Sequence, residues 1–122
     1  MEAKELMVGN YVSYCNGGNF KVIGISEFGL DVENDIETTY MEYDQFEPIK
    51  LTDEIIGTIT PNLFGWFCEG SYILVKDEDF GYCLKVRNAS NTKEIEFGYF
   101  KFLHQLQNVY YILSGKELKC KL

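Results

Sequence analysis

Apolar and polar residues alternate over short runs in the first fifty residues, and turn residues separate these runs. Residues 10–15 and 20–26 alternate in this way, and residues 16–19, Asn-Gly-Gly-Asn, are typical of a hairpin turn. Alternation resumes over residues 30–33 and 36–43. The pattern predicts about five short strands that form a small bent antiparallel sheet, similar to an incomplete Src-homology-like barrel.

A helix start follows this strand series. Thr52 precedes two acidic residues, and this order is typical of a helix N-terminus, where Thr caps free N–H groups and acids favour the positive end of the helix dipole. Gly57 and Pro61 disfavour the interior of a helix. We therefore expect a short helix over about residues 52–57.

Strand-like alternation returns in the second half, and a helical period then replaces it. Residues 70–76, 80–87 and 93–100 alternate, which predicts a three-stranded antiparallel meander. From about residue 101 apolar residues recur every three or four positions, and Gly115 stands where a left-handed helix C-cap is expected. We expect this C-terminal helix to pack across the meander.

Together these elements predict an α+β fold. A chain of 122 residues, 46% of them apolar, has the length and the apolar content of one domain. We therefore expect a single domain over residues 1–122, with a barrel-like half over residues 1–50 and the other elements over residues 51–122.

Cysteine spacing and hydropathy bear on the cell compartment. No apolar run approaches the roughly 20 residues of a spanning helix, so we expect a cytoplasmic protein with no membrane partner. Cys15, Cys68, Cys83 and Cys120 contain no Cys-x-x-Cys pair, and the chain has one histidine. A structural zinc site needs closer ligands than these. We expect four free thiols, no metal and no cofactor.

Charge is distributed unevenly along the chain. The formal net charge is −8, which makes nucleic acid an unexpected partner for the molecule as a whole. Residues 27–54 contain ten acids and one base, net −9, whereas residues 85–122 contain seven bases and three acids, net +4. The acidic segment is either the solvated face of a one-sided sheet or a docking surface for a basic partner or a second copy. Its candidate residues are Glu33, Asp35, Glu37 and Glu42.

The same acidic segment contains the spacing of a calcium-binding loop. Asp31, Glu33, Asp35, Glu37 and Glu42 fall at positions 1, 3, 5, 7 and 12 of an EF-hand. The glycine that position 6 requires is replaced by isoleucine, and no helix is predicted before the series. Strand alternation explains the spacing more simply, and we expect no calcium site.

The C-terminal helix has an unusual polar side. His104, Asn108 and Tyr111 lie along one line of a helix, with Gln107 beside them, and this side has almost no charge. Solvated helix faces normally contain Lys and Glu. The polar strip of His104, Gln107, Asn108 and Tyr111 is therefore either half-covered by the protein's own sheet or a contact surface for a partner.

Catalytic chemistry has little support in the sequence. His104 is the one imidazole, and no spacing brings Cys68 or Cys83 to it as a nucleophile. No nucleophile elbow is present, and nineteen acids do not single out a hydrolytic pair. We expect a protein that is not an enzyme. The single tryptophan, Trp66, is expected in the core, with an interface anchor as the alternative.

Four segments of the chain form a recognisable series: Met-Val-Gly-Asn-Tyr-Val at 7–12, Pro-Ile-Lys-Leu-Thr-Asp-Glu-Ile at 48–55, His-Gln-Leu-Gln-Asn-Val-Tyr-Tyr at 104–111 and Leu-Ser-Gly-Lys-Glu-Leu at 113–118. Together they resemble a group of small uncharacterised proteins from prophages and mobile elements of gut bacteria. The resemblance extends along the whole chain but departs after Ile56, where the group usually has a longer helix ending in Gly-Phe. It implies a biological setting and no activity.

These observations favour a non-enzymatic binding or adaptor module of phage or mobile-element origin that acts through protein–protein contacts, and homo-oligomerisation is one form of such contact. The first alternative is a single-stranded nucleic-acid-binding protein, in which strand aromatics stack on bases and the basic C-terminal segment contacts phosphates. A small hydrolase with a pocket around His104 is a further alternative. The sequence does not identify the partner.

Overall fold

The computed structural model describes most of the chain. It covers residues 5–15, 17–63, 66–67, 70–88, 94–115, 117–118, 120 and 122, and within these ranges it describes all side chains except those of residues 60–63, 66–67, 70–73, 87–88 and 94. The elements in order are β1 (Tyr11–Tyr14), β2 (Asn19–Ile25), β3 (Gly29–Glu33), β4 (Thr38–Glu42), β5 (Phe46–Pro48), α1 (Asp53–Leu63), β6 (Trp66–Phe67), β7 (Gly70–Asp77), β8 (Gly81–Asn88), β9 (Glu94–Phe100) and α2 (Leu103–Ser114).

The chain divides into two compact units. The N-terminal unit comprises Met1–Lys50 and Phe102–Asn108, and the C-terminal unit comprises Leu51–Lys101 and Val109–Leu122. The helix α2 therefore contributes residues to both. The expectation of a single domain stays a prediction.

The N-terminal unit contains the expected bent antiparallel sheet. Its strand order is β4-β3-β2-β1-β5, in which β5 pairs with β1 and the other neighbours are consecutive hairpin strands. The register of β2 against β3 shifts between Val22 and Gly24, and such a bulge bends and twists a strand. With β4 and β5 at its edges, the sheet is an open, incomplete barrel, and the predicted fold class is confirmed.

Alternation along these strands separates the core from solvent. Leu30 and Val32 are fully buried, whereas Asp31 and Glu33 between and after them are exposed. The buried side chains on this inner face remove large apolar areas from water, which is the main stabilising contribution to a sheet of this kind. This core consists of Leu6, Val12, Phe20, Val22, Leu30, Val32, Met41 and Phe46.

The helix α1 begins as predicted but is longer than predicted. The Thr52 Oγ1 atom accepts a hydrogen bond from the Ile55 N–H at 3.2 Å, which confirms the N-cap. The expected end near residue 57 is wrong, because the helix continues to Leu63. Gly57 costs a helix only about 1 kcal/mol. Pro61 lies in the last turn of α1, and a proline there costs a helix about 3 kcal/mol because it lacks an N–H and its ring crowds the carbonyl four residues earlier; other interactions in the fold offset this cost.

The C-terminal unit contains the predicted meander and one further strand. Its sheet has the order β6-β7-β8-β9, and all neighbours are antiparallel. The short strand β6 was not predicted. Tyr82, Leu84 and Phe100 are buried on one face of this sheet. The register of β8 against β9 shifts between Cys83 and Lys85, opposite Gly98, whose φ is 113°.

The helix α2 ends as its sequence predicts. Gly115 has a φ of 72°, and its N–H donates to the Tyr111 carbonyl at 2.8 Å. This is a left-handed glycine C-cap. In the part of the chain that the structure describes, no helix has the length and hydropathy needed to cross a membrane.

Candidate functional site

The structure places the four residues of the polar strip in different environments. His104 and Gln107 are buried, with 2% and 6% of their surfaces exposed. Asn108 is half-buried, and Tyr111 is exposed. The strip is therefore not one continuous surface, and its members need separate explanations.

Gln107 binds the backbone immediately before and within β1. Its Oε1 atom accepts a hydrogen bond from the Tyr11 N–H at 3.0 Å, and its Nε2 atom donates to the Gly9 carbonyl at 3.2 Å. The Gln107 side chain thus provides a hydrogen-bond acceptor and a donor for these two backbone groups. The amide therefore joins α2 to the start of β1 through two hydrogen bonds.

Asn108 continues the same network. Its Oδ1 atom accepts from Asn10 Nδ2 at 2.7 Å, and its Nδ2 atom donates to the Glu5 carbonyl at 3.1 Å. Asn10 in turn accepts the Met7 N–H at 2.9 Å on its own Oδ1. Asn10 and Gln107 thus use both ends of their amide groups inside the N-terminal unit. Sequence reasoning missed Asn10, because its side-chain partner Asn108 is nearly one hundred residues away in the chain.

His104 packs under the N-terminal segment. Its ring stacks on Phe102 with a centroid distance of 6.0 Å, and its Nε2 atom is 3.9 Å from Glu5 Oε2. Its Nδ1 atom is buried without a hydrogen-bond partner. Burial lowers the pKa of His104, and the Glu5 carboxylate only partly opposes this. A buried neutral imidazole is poorly placed to act as a general base on a substrate.

Stability should depend on pH through His104. Burial lowers its folded-state pKa below the ordinary 6.5, so between these two values the unfolded chain binds more protons than the folded chain. The contribution of neutral His104 to the free energy of unfolding is complete above pH 6.5. It is lost as the pH falls from the pKa of His104 in the unfolded chain towards its lower pKa in the folded chain. We expect denaturant unfolding to show this loss of stability between pH 8 and pH 5. The difference in unfolding free energy between the parent chain and a folded His104→Leu variant should therefore change with pH. A difference that stays constant over this range would contradict the prediction.

The acidic residues are exposed as predicted. Glu33 lies at the end of β3 and Glu42 at the end of β4, whereas Asp35 and Glu37 flank the turn between these strands. Asn34 Oδ1 closes that turn by accepting the N–H groups of Ile36 and Glu37. An EF-hand loop connects two helices, whereas this acidic series lies on the strands β3 and β4 and the turn between them. In the described ranges no three potential metal ligands group together. The docking role of these residues stays a prediction.

The C-terminal sheet exposes aromatic side chains that sequence reasoning did not select. Val75, Cys83 and Tyr99 are opposite one another on β7, β8 and β9, so their side chains share one face. The Phe80 ring, in the turn before β8, contacts the Tyr99 ring at a centroid distance of 5.6 Å. Phe80 is 59% exposed and Tyr99 46% exposed, whereas Cys83 is buried. We call Val75, Phe80, Cys83 and Tyr99 the outer-face patch.

The opposite face of this sheet is occupied by α1. Asp53, in the first turn of α1, accepts hydrogen bonds from Tyr82 and Lys76, the latter at 2.9 Å. Burial and the bond to Asp53 raise the pKa of Tyr82 to about 12, and the Tyr82 hydrogen bond and Lys76 hold the pKa of Asp53 low. Tyr82 and Lys76 are cross-strand partners, so this contact marks the inner face. The outer-face patch is therefore turned away from α1.

Charged residues border the outer-face patch. Lys85 Nζ is 3.6 Å from Glu96 Oε1 in the neighbouring cross-strand row. The pKa of the Tyr99 phenol is raised, first by the Glu96 carboxylate and then by Cys83, burial and Asp77, against the opposite effect of Lys85. The Glu96 carboxylate therefore acts on Tyr99 more strongly than the Lys85 amine does.

The adjacent apolar pairs Leu74–Val75, Cys83–Leu84 and Tyr99–Phe100 are the sequence signal that could have revealed this patch. A sheet with one solvated face alternates, whereas paired strands with apolar residues at consecutive positions place them on both faces. The three pairs meet only when the strand register is known.

The remaining predicted residues are cysteines and the tryptophan. Cys15, Cys83 and Cys120 are free thiols; Cys15 is exposed in the turn after β1 and does not belong to the strand predicted over residues 10–15. Cys68 and the Trp66 side chain lie outside the described residues.

Three comparisons with known proteins found no match to this chain. No protein-family model matches this chain, and searches of curated proteins and of solved structures find no similar protein.

Proposed function

We propose that this chain is a non-enzymatic protein-binding module and that the outer-face patch is its contact surface. The observation that supports it is the exposed, mutually contacting ring pair Phe80 and Tyr99 on a sheet face away from α1. Large aromatic side chains are enriched at the energetic centres of protein interfaces. Contiguous exposed apolar groups commonly indicate such a site.

Rigid support favours the same surface. Three of its four residues, Val75, Cys83 and Tyr99, are held in one cross-strand row, and the Phe80 N–H donates to Asp77 Oδ1 in the tight turn between β7 and β8. Binding to preorganised side chains costs less conformational entropy than binding to a mobile loop. An exposed strand face therefore suits a contact surface better than the buried amides of α2.

Single-stranded nucleic acid is less compatible with the patch. Exposed strand aromatics do stack on bases. Phosphates, however, require a positive surround, whereas the phenol of Tyr99 is in the negative field of Glu96 and Asp77. We therefore propose protein contacts and treat nucleic acid as an outcome of the experiment.

Setting and compartment form part of the proposal. The free thiols Cys15, Cys83 and Cys120 fit a reducing compartment, so we propose a cytoplasmic location. The resemblance of residues 104–111 and the other segments to prophage proteins supports a mobile-element origin.

A pull-down from host lysate with variants tests the surface. We expect the double variant Phe80→Ser with Tyr99→Thr to lose bound proteins, because both exposed rings are removed. Phe28→Ser with Ile36→Thr is the matched control, since these apolar side chains are 72% and 91% exposed in turns of the N-terminal sheet. Circular dichroism establishes that both variants are folded.

Tyr111→Ala separates the two candidate surfaces. Tyr111 and Tyr99 are both tyrosines with 46% exposure, but they stand on α2 and β9. If Tyr111→Ala loses the bound proteins and the Phe80 and Tyr99 double variant retains them, the contact surface is on α2 and not on the outer-face patch. Salt-sensitive binding of a labelled oligonucleotide at Tyr99 would instead favour the nucleic-acid alternative.

A further inference from the structure

We propose that the outer-face patch binds a cationic side chain, an arginine or a lysine, of the protein partner. This inference rests on the proposed function and specifies the chemistry of what is bound. Phe80 and Tyr99 form a tilted pair, with 53° between the ring planes and both rings exposed. The faces of such rings attract cations, and nearby carboxylates add a Coulombic attraction of their own.

The charges around the patch are complementary to a cation. Two carboxylates, Glu96 and Asp77, act on Tyr99, and two more belong to the turn that contains Phe80. Among the described side chains, two amines, Lys85 and Lys101, belong to residues at the same-face positions of β8 and just after β9. Lys85 already has a carboxylate partner in Glu96. The raised pKa of Tyr99 supports a negative field at the ring, although Lys85 opposes it. The carboxylates belong to Asp77, Glu78, Asp79 and Glu96.

The local fold holds the aromatic pair in place. Asp77 Oδ1 accepts the N–H groups of Asp79 and Phe80, each at 2.9 Å, and this fixes the turn from which Phe80 projects. Asp77 is paired with Gly81 across the β7–β8 hairpin, next to the Val75–Cys83–Tyr99 row. A guanidinium on the rings would therefore be adjacent to the acidic turn. Planar guanidinium both stacks on aromatic faces and pairs with carboxylates, so an arginine fits best.

Titration of the whole chain by NMR with two short peptides tests the inference. The probes are an Ac-Ser-Gly-Arg-Gly-Ser amide and the same peptide with citrulline, which keeps the shape of arginine but lacks its charge. We expect the arginine peptide to shift the amide signals of Phe80 and Tyr99 saturably, and the citrulline peptide to bind more weakly. Added salt should weaken the arginine peptide alone.

A conservative variant isolates the ring contribution. Phe80→Leu keeps apolar bulk without an aromatic face, and we expect it to weaken the arginine peptide about two- to five-fold, the size of an exposed cation–π contact. Phe28→Leu is the matched control on the N-terminal sheet and should leave the titration unchanged.

Other outcomes overturn the inference. Equal binding of the two peptides, no saturable shift at Phe80 and Tyr99, or saturable binding of oligothymidylate at the same amides would each exclude a cation as the bound group. If the pull-down still requires Phe80 and Tyr99 while the two peptides bind equally, the contact surface stands and the cation is wrong. If neither peptide binds and the pull-down is unaffected, both proposals fail.

Discussion

Replacing Gln107 by Leu is expected to destabilise the N-terminal unit by about 3 kcal/mol. The buried amide accepts the Tyr11 N–H and donates to the Gly9 carbonyl, and leucine does neither. Gly9 is buried and Tyr11 is half-buried, and losing a hydrogen bond at such backbone groups costs about 1–3 kcal/mol each. Denaturant unfolding measures the loss, and hydrogen exchange at the Tyr11 amide should accelerate because its acceptor is removed.

A neighbouring glutamine on the same helix provides the control. Gln105 is exposed, and its Oε1 atom accepts the Phe102 N–H at 3.2 Å at the start of α2. Gln105→Leu should cost about 0.5–1 kcal/mol, the usual effect of losing an exposed cap. Equal destabilisation by the two substitutions would show that the Gln107 network adds nothing beyond helix capping.

Replacing Gly81 by Ala is expected to destabilise the C-terminal sheet by about 2 kcal/mol or more. Gly81 has a φ of 98°, and an added Cβ would collide with the Phe100 carbonyl oxygen on the adjacent strand. The backbone conformation alone costs a residue with a side chain about 1–3 kcal/mol, and the collision adds to this. Thermal unfolding and hydrogen exchange across β8 and β9 measure the effect.

Gly57→Ala is the opposite case with the same chemical change. Gly57 lies within α1, and an added Cβ would have no neighbour within 4 Å. Alanine favours helix over glycine by up to about 1 kcal/mol, so this variant should be more stable than the parent chain. A stabilising Gly81→Ala, or a Gly57→Ala as harmful as Gly81→Ala, would contradict the described backbone.

Local sequence signals predicted the elements best where one nearby residue decides the outcome. Thr52 caps α1 and Gly115 ends α2 through hydrogen bonds to residues three or four positions away. The predicted end of α1 was wrong because the cost of Gly57, about 1 kcal/mol, and that of Pro61, about 3 kcal/mol inside a helix, can be exceeded by other interactions in the fold. Propensity is therefore a weaker guide than a specific cap.

The candidate surfaces were less accessible to sequence reasoning. A helix with His104, Gln107, Asn108 and Tyr111 on one side has the same pattern whether that side meets a partner or the protein's own chain. The structure shows that Gln107 binds Gly9 and Tyr11, partners nearly one hundred residues away. Such contacts depend on how the chain folds back, which helical spacing alone does not encode.

The sequence by itself determined the α+β composition, the bent N-terminal sheet, the meander and the exposed acidic residues, because alternation and caps act over a few residues. Only the tertiary structure decided that the Gln107 amide is internal and that Phe80 and Tyr99 meet on a solvent-facing sheet surface. The physical reason is register: a one-residue shift between strands exchanges the buried and exposed faces, and pairing fixes that shift.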